Sequence, residues 1–205
     1  MTAAADPSFA LLRAALAQPA PVSSDFDLNA GLNPPLLRSL RPAAVLVAVF
    51  YGPSGQPHVL LTKRSSRLKH HPGQIAFAGG KVDATDAGPE AAALREAKEE
   101  VGLDPDLVEI MGRLPQHETV TGFAVTPVLA WVTAPFSTTP EAGEVDEVFS
   151  VPLVHVLNLA AYRIEGRVWL GQRRRYFTVP YGPYYIWGAT ARILRGLAER
   201  VAQCS

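Results

Sequence analysis

Three glutamates, Glu96, Glu99 and Glu100, stand at i, i+3 and i+4 within residues 79–103, GGKVDATDAGPEAAALREAKEEVGL. In a helix that spacing crowds their carboxylates onto one face, at ~0.2–0.5 kcal/mol of repulsion per like-charged pair on an exposed surface. The face is therefore either a solvated acidic surface or a site that recovers the repulsion by binding a cation. The surroundings favour the second reading. Gly79 and Gly80 let a loop come close to the helix and offer a backbone carbonyl, and Arg95 directly precedes the acids and can orient one of them. Carboxylates plus a carbonyl form a hard, oxygen-only donor set, which suits Mg²⁺ or Mn²⁺ better than zinc. Such ions bind phosphate oxygens and activate water.

Positive charge lies just upstream. Arg64, Arg67, Lys69, His70 and His71 sit in or beside the loop SSRLKHHPG, which leads directly to the glycine pair. A guanidinium presents a planar fork to diphosphate oxygens, so this loop is a candidate phosphate contact. The alternative is a solvated basic loop, and no spacing marks either histidine as a metal ligand. Val120, Thr121 and Gly122 either line a cleft or form a turn between strands. The run Arg173–Arg175 reads as exposed strand charge, with a second phosphate contact as the alternative. Tyr181, Tyr184, Tyr185 and Trp187 follow it, and packing of the last helix explains them better than stacking on a base.

The elements that must position these groups are legible in outline. Residues 8–18 predict a short amphipathic helix stopped by Pro19, and residues 21–35 a polar, Pro-bearing arm. Residues 43–51 read as a buried strand, GPSGQ as its turn and PHVLLTKR as the antiparallel return. The acidic helix should run over 89–101, with Pro89 at its start and Gly102 closing it. Leu94, Ala97 and Val101 form a stripe for burial against a sheet. Further strands are predicted at 107–114, 124–132 and 145–151, a strand pair at 163–170 and 175–179, and a final helix at 186–202. Without regular βα alternation, the pattern favours an α+β sandwich over a doubly wound sheet. Residues 1–40 are read as an N-terminal helix and arm, and residues 41–205 as the domain.

Composition narrows the partners. Nineteen Lys and Arg balance nineteen Asp and Glu across 205 residues, so no global basic field exists to hold nucleic acid. The single cysteine, Cys204, excludes an internal disulfide framework and a multi-cysteine zinc site. The longest apolar run, residues 43–51, is too short to span a bilayer, and no export signal is read at the N-terminus. The expectation is a soluble, cytoplasmic monomer or homodimer with no membrane or nucleic-acid partner.

At these residues the chain resembles the Nudix hydrolases, whose signature runs G-x5-E-x7-R-E-U-x-E-E-x-G-U, U being a bulky apolar residue. Arg95, Glu96, Ala97, Lys98, Glu99, Glu100, Val101, Gly102 and Leu103 match its second half. In the first half, counted from Gly80, the acidic position falls on Asp86, one residue further from Arg95 than the signature has it. Leu60, Leu61, Thr62, Arg64, Ser65, Arg67, Gly73, Phe77, Gly79 and Gly80 are similar to a narrower pattern, that of the coenzyme A pyrophosphatase branch, with Ala78 in place of its proline. VTGFAVTPVLAWV, WGATARIL and EVDEVFSVPL extend the resemblance over about residues 43–194. It implies an α/β/α sandwich with a mixed central sheet and an N-terminal helical extension, and Mg²⁺- or Mn²⁺-dependent cleavage of the pyrophosphate of coenzyme A or its derivatives. It further implies Glu96, Glu99, Glu100 and the Gly80 carbonyl as metal ligands, Arg95 as the residue that orients the acids, and Glu99 or Glu144 as general base. Arg64, Arg67, Lys69, His70 and Phe77 are then the substrate contacts. The alternatives are a Nudix hydrolase of another nucleoside diphosphate derivative, such as ADP-ribose or a dinucleotide, and a non-catalytic Nudix-fold binding module.

Overall fold

In a computed structural model that describes residues 6–29, 39–169 and 171–204, four α-helices and eleven strands form an α/β/α sandwich. The chain runs α1 (Pro7–Ala17), β1 (Ser23–Ser24), β2 (Arg41–Tyr51), β3 (Pro57–Arg64), β4 (Ile75–Ala76), β5 (Ala78–Lys81) and α2 (Pro89–Val101). It continues through β6 (Val108–Arg113), β7 (His117–Glu118), β8 (Phe123–Val132), β9 (Val145–Pro152), α3 (Leu153–Leu157), β10 (Arg163–Trp169), β11 (Gln172–Thr178) and α4 (Gly188–Ala202). Residues 30–35 of the arm and Leu170 of the strand pair, both covered by the sequence reading, lie outside the described residues.

The long apolar strands β2 and β8 pair in parallel, Arg41 with Phe123 through to Val49 with Trp131, and form the centre of a nine-stranded mixed sheet. Alternation along β2 separates two cores. Ala43, Val47 and Val49 face α1, α3 and α4, while Ala44, Leu46 and Ala48 face α2. Phe9, Leu12 and Ala15 of α1 belong to the first of these cores, so the N-terminal helix packs into the domain. Asp6 caps α1 by accepting the N–H groups of Ser8 and Phe9. At its other end the buried Arg200 guanidinium of α4 donates to the carbonyls of Ala15, Leu16 and Gln18.

On its other edge β2 changes partner along its length. Residues 49–51 pair with β3 across the expected hairpin, and residues 43–46 pair with β5. β3 meanwhile pairs with β9 and β4. This split puts the glycines of β5, the basic end of β3 and the start of β9 around one face of α2.

Helix α2 begins at Pro89 and ends where Gly102, at φ 72°, donates its N–H back to the carbonyls of Ala97 and Lys98. The expected stripe shifts by one residue, because Ala93, Ala97 and Val101 are fully buried and Leu94 is half-buried. Small alanines let the helix lie close on the sheet.

Candidate active site

Two further hydrogen bonds from outside α2 decide what gathers at its C-terminal end. Thr139 N–H donates to the Val101 carbonyl (2.9 Å) and Glu141 N–H to the Glu100 carbonyl (3.0 Å), satisfying carbonyls that a helix end leaves open. They tie the loop before β9 to α2. On the other side Ser65 N–H donates to the Glu144 carbonyl (2.8 Å) and Ser66 N–H to Asp146 Oδ2 (2.9 Å), which fastens the basic loop to the start of β9. Glu144, remote in sequence from the helical acids, thereby comes close enough that its charge acts on both Glu96 and Glu100.

The three helical glutamates do not share one environment. Glu100 is 4% exposed, accepts the Gly79 N–H (3.1 Å) and lies 3.8 Å from the Arg64 guanidinium. Burial pushes its carboxyl up to about 7. The Gly79 N–H and Arg64 pull it down, and Glu96 and Glu144 add to the rise. Glu96 is also raised, chiefly by burial, against the opposing pull of Arg95. Glu99 is on the outer side of the helix and bonds Arg95 at 3.0 Å.

Arg95 organises this face. Its guanidinium forks onto Asp86 (Nε to Oδ1 3.1 Å, Nη2 to Oδ2 3.0 Å), donates to Glu96 and Glu99 at 3.0 Å each, and reaches the Lys81 carbonyl at 3.2 Å. Hydrogen bonding to Arg95 is the main reason that the Asp86 carboxyl lies below the ordinary carboxylate range. The extra residue between Asp86 and Arg95 is accommodated in the loop, and Asp86 serves as the anchor of the arginine. Arg95→Lys keeps the charge and loses the fork. The expected result is a helix that still forms and turnover lowered about 10- to 100-fold, as for partners that orient ligands. Steady-state kinetics beside far-UV circular dichroism measures both.

Each glycine of the pair has its own reason. A Cβ on Gly79 would run into the Ala44 carbonyl oxygen and the Val45 Cα across the sheet, whereas a Cβ on Gly80 would occupy the position of the Glu96 carboxylate. Gly80 thus lies directly beneath Glu96, in backbone contact with the acidic face.

The expected phosphate contacts divide. Arg64 is half-buried against Glu100, while Arg67, Lys69 and His70 are exposed on the loop, Arg67 near enough to Asp146 to act on its charge. Phe77 is 4% exposed and packs in the core that faces α1, α3 and α4. The structure therefore gives it a packing role in place of the expected substrate contact, because the side chain before the glycines points through the sheet away from α2. Tyr184 stacks on Phe149 at 3.6 Å, and its hydroxyl donates to Glu147. Tyr184 thus packs beside β9, while Tyr181 lies against His155 of α3, and Trp187 and the Tyr185 hydroxyl meet Tyr176 of β11. The pairing of Tyr184 with Glu147 carries no sequence signal because it joins positions 37 apart.

Among the described residues no three His, Cys, Asp or Glu side chains converge as a closed metal cage. The donor chemistry nevertheless fits a divalent cation. Glu96 and Glu100 are oxygen donors whose burial, and whose repulsion from each other and from the exposed Glu144, a divalent charge would relieve, beside a glycine backbone that carries no side chain. No helix among the described residues is long and apolar enough to cross a membrane.

The Nudix domain family matches residues 40–179. A protein described as uncharacterized Nudix hydrolase NudL from Enterobacter sp. (strain 638) is 43% identical over 173 residues, 83% of this chain and 89% of that protein. Its namesake from Salmonella newport (strain SL254) is 45% identical over 161 residues, 78% of this chain and 83% of that one. The crystal structure of MutT protein from Methanosarcina mazei Go1 superposes with a TM-score of 0.52 at 18% identity, over 82% of this chain and 97% of that chain, a likeness of fold alone. With a family match running from β2 to the end of β11 and an Arg-Glu-x-x-Glu-Glu helix set against a glycine pair, the chain belongs to the Nudix family.

Proposed function

We propose that this Nudix-family hydrolase cleaves the diphosphate of coenzyme A or one of its derivatives in the cytoplasm, releasing adenosine 3′,5′-bisphosphate and 4′-phosphopantetheine or its acylated form. The observation that carries the reading is the contact between Arg64 and Glu100 at 3.8 Å. It joins the acidic helix to the basic segment in which the resemblance to coenzyme A pyrophosphatases resides.

Glu96 and Glu100 are the direct ligands for Mg²⁺ or Mn²⁺, with Glu99 and the Gly80 carbonyl contributing. A bound divalent cation supplies positive charge to the diphosphate oxygens and makes water a better nucleophile at neutral pH. Arg64 holds the diphosphate against the acids and offsets the charge that develops in the transition state, with Arg67, Lys69 and His70 extending the positive rim. Arg95 fixes the rotamers of Glu96 and Glu99 from its anchor on Asp86. Glu144 takes the proton from the attacking water. It is exposed and adjacent to both buried acids, whereas Glu99 is engaged with Arg95. Cleavage adds one water across the P–O–P bridge, leaving a phosphomonoester on each product.

A mass-resolved assay with coenzyme A, ADP-ribose and NADH in parallel, each with Mg²⁺, Mn²⁺ or chelator, tests this. Metal-dependent release of adenosine 3′,5′-bisphosphate, fastest from coenzyme A, is the expected outcome. Faster turnover of ADP-ribose or NADH would overturn the substrate assignment and keep the reaction class, and binding without any product would overturn both.

A further inference from the structure

Among the described residues the hairpin of β10 and β11 forms a two-stranded sheet separate from the nine-stranded one. Its two edges differ. Along β11 the outer edge is occupied: Arg175 N–H donates to Asn29 Oδ1 (2.8 Å), Asn29 Nδ2 donates to the Arg175 carbonyl (2.9 Å), and Thr178 bridges to Trp187. Along β10 the outer edge has no partner strand among the described residues. The strand contains no proline and no register shift, and it leaves Ile164 55% and Val168 68% exposed. An unprotected edge of this kind is a template for another strand.

The backbone parity of that edge follows from Asn29. Arg175 directs both its N–H and its carbonyl away from β10, so it belongs to a pair that is not hydrogen-bonded across the hairpin. Its cross-strand partner is Gly166, which therefore directs its own N–H and carbonyl outward, as do Ile164 and Val168. A seven-residue strand thus presents three outward amide units centred on a glycine.

We infer that β10 pairs antiparallel with β10 of a second copy of this chain, across a twofold axis at Gly166, to give a continuous four-stranded ribbon. Residues 164–168 of the strand, Ile-Glu-Gly-Arg-Val, are self-complementary about that centre. Gly166 meets Gly166 of the second copy with no side chain between the backbones. Ile164 falls opposite Val168, and both are exposed apolar residues on one face. Glu165 falls opposite Arg167 on the other face. Each pair occurs twice, as a twofold interface requires. Opposite charges and β-branched pairs placed directly across strands are favourable, and like charges there are unfavourable. Arg167 stands across its own hairpin from Arg174, so a glutamate from the second copy relieves a like-charged neighbour.

Sedimentation equilibrium from low micromolar to submillimolar concentration reads the mass, 22.0 kDa for the monomer and twice that for the dimer. The wild type is expected to pass reversibly from one to the other. Arg167→Glu places two glutamates opposite each other, and Glu165→Arg places two arginines there, so each variant alone should dissociate about 10-fold or more readily. Mixed in equal amounts the two variants recover two Glu–Arg pairs per dimer, and the double-mass species should return. That recovery also shows that both variants are folded, including Glu165→Arg, which removes the acceptor of the Tyr185 hydroxyl. A wild type that stays monomeric throughout overturns the inference. So does a dimer indifferent to both variants, or a mixture that stays at the monomer mass. None of these readings depends on substrate or metal.

Discussion

Glu100→Gln is expected to fold like the parent and to lose turnover of its diphosphate substrate by roughly 100-fold or more, beyond the ~10- to 100-fold that supporting partners of a metal ligand are worth. The carboxamide has nearly the same shape and can still accept the Gly79 N–H through its oxygen. It lacks the charge that faces Arg64 and that a divalent cation requires. Because Glu100 is almost wholly buried beside Glu96 and Glu144, removing its charge also removes repulsion and a desolvation cost. The variant should therefore melt no lower than the parent in chelator, while Mg²⁺ or Mn²⁺ should raise its melting temperature less than the parent's. Rate measurements beside thermal melts with and without metal check this, and an unchanged rate would remove Glu100 from the mechanism.

The second large effect is a pH dependence of the metal-stripped protein. In the folded chain the Glu100 carboxyl is pushed up to about 7 by burial, against an ordinary value of 4.5. Between those values the folded state holds a proton that the unfolded state has released, so stability falls as pH rises. The contribution is fully present below about pH 4.5, is lost progressively as pH rises through about 7, and amounts to roughly 3 kcal/mol at most. Glu96 is shifted the same way and adds to the slope. Urea unfolding of the chelated protein from pH 5 to 8 should show declining stability, and a divalent cation should restore more of it at pH 8 than at pH 5. Glu100→Gln should flatten the curve. A chelated protein that gains stability over this range would contradict the buried, repulsive placement of the acids.

Much of the acidic helix was legible from residue order because its constraints are local. The spacing of Glu96, Glu99 and Glu100, Pro89 at the first turn and Gly102 beyond the last all act within a few residues. The hairpin at residues 52–56 and the limits of β6, β8, β9 and α4 follow from equally local patterns and came within two residues of expectation. Phe77 shows where such reading fails. The motif places it beside the glycines, but the pleat of the chain sends its side chain into the opposite core, and only the layers packed on the sheet reveal that. The two-residue strands β1, β4 and β7 lie equally beyond a linear reading, because they exist through partners elsewhere in the chain.

By itself the sequence determined the family, the acidic helix, the glycine pair beneath it and the basic segment upstream, since each depends on residue type and short spacing. The tertiary structure alone decided how these meet. It divided the helical acids into the buried Glu100, the half-buried Glu96 and the exposed Glu99, anchored Arg95 on Asp86, and brought Glu144 to the site through the hydrogen bonds that cap α2. Burial, charge coupling and backbone capping between distant segments depend on where the chain returns, a property of the packed sandwich that no stretch of residues carries alone.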